Sequence, residues 1–300
     1  MNLIIFLGLS LSTLLGSSAW GRSVKDATGT QVEVSSHPLR IVTLAPSLGE
    51  LVAELLEGRT DRIVGVSEFT DYPLGLQKIH RIGPYYKFNL ESVISLKPDL
   101  VLATQDGNPK DEVLHLRELK VPVVVISTNT FKEVEDSISL VGEALGSQSS
   151  AKNLSKRLHA GFENFRKRAH LREFQKISKK VALELDSNPV VVVGGGTFLN
   201  EALETVGAKN LYADSPVHYP RPAIEDLIKR DPDVILILAL GSNPENKEDS
   251  FLKMARGWEQ YPSLKAVKTK RVKVLRADEL LRPSSRMLRG LELLEKAIYD

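Results

Sequence analysis

Three aromatic residues in loops are the first candidates for ligand contact. Phe69 precedes an Asp-Tyr-Pro segment, Tyr85 follows Pro84, and Tyr219 precedes Pro220. A loop aromatic without periodic apolar neighbours offers a large contact area at a small cost in conformational entropy. These rings could therefore form a platform for a bound molecule. The residue pattern alone equally allows each ring to pack under its own loop.

A second group of candidates carries charge near the C-terminus. Asp278, Arg282 and Arg286 lie within nine residues of one another, in a segment expected to form a loop and a helix start. The planar guanidinium group suits carboxylate, phosphate and amide oxygens. We expect Arg282 to contact a ligand, and Arg286 either to contact it or to hold its own loop.

Metal and nucleotide sites are not indicated by the sequence. The six histidines form no local metal motif, and the chain has no cysteine for zinc, iron–sulfur or nucleophilic chemistry. His218, beside Tyr219, could reach a ligand or its chelated metal, or could be an ordinary loop histidine. The run Gly194-Gly195-Gly196 has neither phosphate-loop nor dinucleotide spacing. We interpret this run as a turn that lets the backbone approach a ligand.

Motifs of the common hydrolases are absent as well. The sequence contains no Gly-x-Ser-x-Gly elbow, no His-Glu-x-x-His pair, and no carboxylate pair in a glycosidase-like setting. We therefore predict a protein that is not an enzyme and has no cofactor, with an exported hydrolase as the remote alternative.

The first nineteen residues predict export. An apolar run over residues 3–15 is too short to span a bilayer, and small residues follow it at 16–19. We predict a signal peptide at 1–19, and the alternative is a buried N-terminal helix. With no cysteine for a lipid anchor, a free periplasmic protein is expected. The net charge of +2 gives no indication of a nucleic-acid partner.

Helices alternate with Val/Ile-rich strands along most of the chain. This alternation predicts α/β architecture with parallel sheets covered on both faces. Ser47 and Glu50 have the spacing of a capping box at the start of the first helix. Residues 147–178 differ, because they predict one long amphipathic helix with an apolar stripe at three- and four-residue steps: Ala151, Leu154, Leu158, Phe162, Phe165 and Ala169.

An internal repeat flanks this long helix. Residues 91–101 resemble residues 225–235, and in each segment a glutamate precedes a Pro-Asp pair by seven positions. The repeat predicts two related lobes. We expect lobes at 20–146 and 179–300, joined by a backbone helix at 147–178. Chance similarity between common helix–strand units is the alternative.

Several segments resemble the helical-backbone class of periplasmic substrate-binding proteins of ABC importers, most closely its cobalamin-binding members. The resemblance covers nearly all of the chain after residue 19 and is carried by residues 40–47, 64–73, 89–101, 107–108 and 282–286. It implies two Rossmann-like lobes on one backbone helix, with a ligand between them. Cobalamin is the expected ligand; haem and ferric siderophores are the alternatives. Tyrosines at two platform positions and Glu279-Leu280 after Asp278 predict a more polar site with less aromatic area than in those members.

The resemblance also implies roles for individual residues. Glu91 and Glu225 are expected to dock on arginines of a permease dimer that works with its ATPase, and the receptor is expected to be a monomer. The alternative is that each acid only stabilises a helix N-terminus. The predicted ligand-binding set is Phe69, Tyr85, Gly107, Asn108, Tyr219, Asp278, Arg282 and Arg286.

Overall fold

The computed structural model describes residues 21–239 and 244–300 and contains two α/β lobes. The predicted signal peptide lies outside the described residues. The N-terminal lobe contains, in chain order, β1 (Arg22–Lys25), β2 (Gln31–Val34), β3 (Ile41–Thr43), α1 (Pro46–Leu55), β4 (Ile63–Val66), a 3-10 helix (Leu74–Lys78), α2 (Leu90–Ser95), β5 (Leu100–Thr104), α3 (Lys110–Glu118), β6 (Val123–Ile126) and α4 (Phe131–Leu145).

The main sheet of this lobe is parallel throughout, in the order β4-β3-β5-β6. Its strands are short apolar runs buried on both faces, as the sequence predicts. The order reverses between β3 and β5, so a crevice forms at the carboxyl ends of the strands. A separate antiparallel ribbon pairs β1 with β2.

The start of α1 corrects one local prediction. The N-cap is Ala45, Pro46 occupies the first turn, and no side chain caps the helix. Proline fits the first helical position because its missing N–H and fixed φ cost nothing there. The capping box predicted from Ser47 and Glu50 is therefore wrong, and Glu50 is buried with only 3% of its surface exposed.

The C-terminal part of the chain forms the second lobe. Its elements follow the long helix α5 (Gln148–Phe174) and are β7 (Lys180–Ser187), β8 (Val190–Val192), α6 (Phe198–Thr205), β9 (Lys209–Asn210), α7 (Ile224–Arg230), β10 (Val234–Ala239), α8 (Pro244–Gly257), a 3-10 helix (Trp258–Gln260), α9 (Lys265–Lys268), β11 (Val272–Arg276), a 3-10 helix (Asp278–Leu281) and α10 (Arg286–Tyr299).

The second sheet has the order β11-β10-β7-β8, with β9 also paired to β7. Only the β7–β8 pair is antiparallel. The predicted α/β class with parallel sheets is thus confirmed in both lobes. No helix among residues 21–239 and 244–300 is long and apolar enough to cross a membrane.

Helix α5 joins the two lobes through one shared core. Its residues Ala151, Leu154, Leu158, Phe162 and Phe165 are buried, as the apolar stripe predicts. They belong to a single hydrophobic cluster that contains β-strand residues of both sheets. Burying one continuous apolar face against both lobes makes the lobes parts of one cooperative unit.

Three adjacent aromatic rings, called the ring stack below, belong to this shared core; one pair is stacked and the other is tilted by 47°. Phe131 of α4 stacks on Phe162 of α5 with ring centroids 4.5 Å apart, and Phe198 of α6 lies 4.9 Å from Phe131. Nearby, Gly161 lets α10 pack closely, because a Cβ there would lie 2.3 Å from a methyl carbon of Leu288. The ring stack connects the first lobe, the backbone helix and the second lobe.

Replacing Phe162 with Ala should lower the free energy of unfolding by about 3–5 kcal/mol, because it leaves a cavity where three elements meet. Urea unfolding followed by far-UV circular dichroism measures the change. The matched control is Phe174→Ala on the same helix, whose side chain is 82% exposed; it should change stability by less than about 0.5 kcal/mol. Equal losses in the two variants would contradict the shared core.

Candidate ligand-binding cleft

A cavity of 510 Å³ lies between the two lobes. The first lobe contributes residues that follow β5 and β6, which are Asp106, Thr128 and Asn129, together with Val134 of α4. The second lobe contributes Leu185, residues 196–199, His218, Tyr219, Leu281, Pro283 and Met287. A volume of this order is typical of small-molecule sites, and the lining here combines polar and apolar groups in nearly equal shares.

Tyr219 is the predicted aromatic platform that lines this cavity directly. Its side chain is 50% exposed, and its ring meets the His218 ring edge to face with centroids 6.5 Å apart. Burial raises the pKa of the Tyr219 hydroxyl, and the charge of Asp106 across the cleft raises it further. The hydroxyl therefore remains protonated and able to donate a hydrogen bond.

The glycine run beside this loop has a different role from the predicted one. A Cβ on Gly194 would lie 2.3 Å from the Val217 carbonyl oxygen, and one on Gly195 would lie 2.3 Å from that of Ala213. Both glycines are thus needed for close packing of the loop that carries Tyr219. Among the three, only Gly196 lines the cavity.

Tyr85 lies on the first lobe and is held in place by its neighbours. The Asn108 amide nitrogen donates to the carbonyl oxygens of Tyr85 (2.7 Å) and Leu44 (3.0 Å), and its oxygen accepts from the Thr104 N–H (2.7 Å). Asn108 is buried, and its donors and acceptor are used within the protein. These hydrogen bonds hold the backbone at Tyr85, and the predicted ligand contact of Asn108 remains a prediction.

The other first-lobe candidates lie around Tyr85. Gly107 packs under the Tyr85 ring, since a Cβ at Gly107 would lie 3.4 Å from it. Tyr85 is 37% exposed and Phe69 is 40% exposed. Neither ring lines the 510 Å³ cavity itself. Tyr86, which the sequence reasoning passed over, meets Tyr85 edge to face at 5.2 Å.

Arg286 lies in a set of contacts between the lobes that we call the interlobe clamp, formed by Glu50, Tyr72, Glu279, Ser284 and Arg286. The guanidinium group of Arg286 lies 3.0 Å from a Glu50 oxygen, 3.2 Å from a Glu279 oxygen, and 4.1 Å from the Tyr72 ring centroid. The Ser284 hydroxyl donates to the other Glu50 oxygen. Arg286 thus connects the start of α10 with the first lobe, and its predicted contact with a ligand remains a prediction.

The clamp surrounds a carboxylate that has been removed from water. Burial raises the pKa of Glu50, while the Ser284 hydrogen bond and the charges of Arg286 and Arg282 act in the opposite direction. An acid on the apolar face of a helix indicates a buried partner, and this signal could have identified Glu50 from the sequence. Tyr72, close to Phe69 in the same loop, was also missed.

Arg282 and Asp278 lie at the edge of the clamp. The guanidinium group of Arg282 lies 4.0 Å from an Asp71 oxygen, and 15% of the Arg282 side chain is exposed. Asp278 begins the 3-10 helix that precedes Arg282 and is half-buried. Neither side chain lines the cavity, although Leu281 and Pro283 on either side of Arg282 do.

Glu91 and Glu225 lie at matching places in the two lobes. Each is the second residue of a short helix, α2 and α7 respectively, and each is exposed. The repeat seen in the sequence is therefore present as two equivalent helix starts. Across residues 21–239 and 244–300, no group of three or more acidic, histidine or cysteine side chains could hold a metal ion.

Comparison with known proteins identifies the family of this two-lobed chain. The model of the periplasmic binding protein family matches residues 41–279. The chain belongs to this family. Its members are substrate-binding components of transporters, not enzymes, and the confirmed fold agrees with that class.

Two curated relatives share 30% identity with the chain. One is an uncharacterized ABC transporter substrate-binding lipoprotein, YvrC, of Bacillus subtilis, aligned over 92% of this chain and 85% of the relative. The other is a vitamin B12-binding protein of Vibrio cholerae, aligned over 84% of this chain and 86% of the relative.

Solved structures give the same grouping. The periplasmic vitamin B12 binding protein BtuF of Vibrio cholerae has a TM-score of 0.70 at 28% identity and covers 87% of this chain and 96% of its own. The periplasmic heme-binding protein RhuT of Roseiflexus has a TM-score of 0.73 at 24% identity and covers 87% of this chain and 98% of its own. The second likeness shows the fold alone.

Replacing Arg286 with Ala should destabilise the protein by about 2 kcal/mol or more, because Glu50 would remain buried without its cation. Thermal or urea unfolding measures the loss. Arg289→Ala is the matched control on the same helix: its side chain is 70% exposed and 3.8 Å from Glu279. That variant should change stability by less than about 0.5 kcal/mol. An Arg286 variant as stable as the control would show that the clamp contributes nothing.

Proposed function

We propose that this protein captures cobalamin (vitamin B12) in the cleft between its lobes and delivers it to the permease of an ABC importer. The observation that carries the proposal is the 510 Å³ cavity between the lobes, which Tyr219 lines; the first lobe adds the partly exposed rings of Tyr85 and Phe69 outside this cavity. It stands in a chain 30% identical to a vitamin B12-binding protein over 84% of its length.

The proposed mechanism is binding without covalent chemistry. A large macrocycle would occupy the cavity beside Tyr219 and extend over the exposed rings of Tyr85 and Phe69. The three aromatic side chains supply apolar contact area, and the hydroxyl groups of the two tyrosines can donate to the amide oxygens at a corrin edge. Arg282 would neutralise or hydrogen-bond an oxygen at the same edge.

Haem or a ferric siderophore is the second candidate ligand. Two features support it: His218 lines the cavity, and Arg282 lies beside the loop that closes it. An arginine pairs well with the carboxylates of haem or of a siderophore, and an imidazole can coordinate iron. An exported hydrolase has no support from a nucleophile–base pair at the cleft.

Delivery would use the two exposed glutamates. Glu91 and Glu225 lie on equivalent helices of the two lobes, which suits a permease dimer that presents one cationic partner to each lobe. We further propose that residues 1–19 direct export to the periplasm without a lipid anchor, and that the receptor acts as a monomer. Its functional parts would be 20–146, 147–178 and 179–300.

Isothermal titration of the purified chain with cyanocobalamin tests the ligand assignment. We expect one-to-one binding, and Tyr219→Ala should weaken it by about tenfold through lost ring contact. Val217→Ala is the control, because Val217 is exposed in the same loop but does not line the cavity. If haemin or a ferric hydroxamate binds and cyanocobalamin gives no heat, the cobalamin assignment is refuted and the ligand is one of iron uptake.

The docking assignment has its own test. A Glu91→Ala, Glu225→Ala double variant should keep its ligand affinity and lose about tenfold or more in affinity for detergent-solubilised permease, because two charge pairs are lost. The control is the double variant Glu118→Ala, Glu259→Ala, which removes one exposed acid from each lobe outside α2 and α7. Unchanged permease affinity in the first variant would refute the docking role.

A further inference from the structure

A second cavity lies wholly within the C-terminal lobe, and we call it the outer pocket. It has a volume of 640 Å³ and lies between the β7–β8 hairpin, the segment before α7, and the end of α8. Glu184 lines it, whereas the next residue, Leu185, lines the interlobe cleft. Successive side chains of a strand point to opposite faces, so the two cavities are on opposite faces of the sheet.

Glu184 is a buried acid, and one of its two carboxyl oxygens has no hydrogen-bond partner among the described residues. It is 1% exposed, and one oxygen accepts a 2.7 Å hydrogen bond from the indole N–H of Trp258. The other oxygen, Oε1, is buried and has no hydrogen-bond partner among the described residues. Buried polar atoms without a partner are rare in folded proteins, so this oxygen indicates a missing donor.

The surroundings of Glu184 define the kind of donor that fits. The pKa of Glu184 is raised to about 7. Burial has the largest effect and raises this pKa, the Trp258 hydrogen bond lowers it, and the charge of Asp186 raises it. A ligand cation next to this carboxyl group would supply both a hydrogen bond and the missing positive charge. A metal ion fits poorly, because it needs several converging ligands.

The rest of the pocket suits an apolar body carrying that cation. Val190, Ile224 and Met254 provide aliphatic walls. The rings of Trp258 and Tyr261 lie 5.8 Å apart and are tilted by 53°. Aromatic faces attract a nearby ammonium group through their quadrupole. A second charged residue, the exposed Lys253, also lines the pocket. Small-molecule sites commonly combine apolar walls with a small number of such polar groups.

We infer that the outer pocket binds a small organic amine, with an aromatic or aliphatic body against Ile224, Met254 and Tyr261 and a protonated nitrogen that donates to Glu184 Oε1. This site is independent of the proposed cobalamin function, because no residue of the described part of the chain lines both cavities. It would give the receptor a second ligand on the outer face of its C-terminal lobe.

The probe is 4-phenylbutylamine, titrated calorimetrically into the purified chain, with 4-phenylbutan-1-ol as the neutral control of matched shape. We expect saturable one-to-one binding of the amine, about tenfold tighter than that of the alcohol. Glu184→Gln keeps an acceptor for Trp258 and should abolish this preference. Tyr219→Ala changes only the interlobe cleft and should leave amine binding unaltered.

Three outcomes would overturn the inference: no saturation up to about 10 mM amine, equal affinities for amine and alcohol, or loss of amine binding in Tyr219→Ala. If Glu184→Gln fails to fold, nuclear magnetic resonance of the native chain decides. The indole N–H signal of Trp258, assigned with a Trp20→Phe variant, should shift as amine is added, and an unmoved signal would refute the site.

Discussion

The apolar face of α5 is the constraint on which the rest of the molecule depends. Its buried residues and the ring stack of Phe131, Phe162 and Phe198 form one core with both sheets. The backbone N–H of Phe131 also donates to a carboxylate oxygen of Glu201 in the second lobe, at 2.7 Å. Separating the lobes would expose this core, so the cleft between them has walls at a defined separation. We therefore expect little rearrangement of the lobes when a ligand binds.

The polar groups near the cleft divide into those that hold the protein and those that remain for a ligand. In the interlobe clamp the carboxyl groups of Glu50 and Glu279 both pair with Arg286, and the amide nitrogen of Asn108 donates to backbone carbonyl oxygens. Tyr219, His218 and Asp106 line the cavity. The charged groups of the clamp are therefore paired within the protein, whereas these three side chains remain available at a cavity whose lining is about equally polar and apolar.

Local patterns in the sequence were sufficient to predict the fold. The apolar stripe from Ala151 to Phe165 predicted α5, because helical spacing shows which face of a helix is buried. The Val/Ile runs predicted the central strands, because a short continuous apolar run is typical of a strand buried on both faces. Membership of the family also followed from short motifs. These features depend on neighbours within a few positions along the chain.

The site was less predictable because its contacts join distant segments. Ser47 and Glu50 have the spacing of a capping box, but the N-cap is Ala45, two residues before Ser47. Glu50 instead accepts a hydrogen bond from the hydroxyl group of Ser284, 234 positions away. Arg286 was predicted as a ligand-binding residue, and its contact with Glu50, 236 positions away, could not be predicted from its own segment. Gly194 and Gly195 packed against a loop twenty residues later, where the sequence suggested a ligand.

The central claim is that one shared core fixes the lobes around the cleft, and an interlobe distance measures it directly. The chain has no cysteine, so spin labels can be introduced cleanly at Leu74→Cys and Lys268→Cys, one exposed position in each lobe. Double electron–electron resonance should give one narrow distance that changes by less than about 5 Å when cyanocobalamin is added. Two populations, or a shift of more than about 10 Å, would mean that the lobes move as separate bodies and would contradict the account.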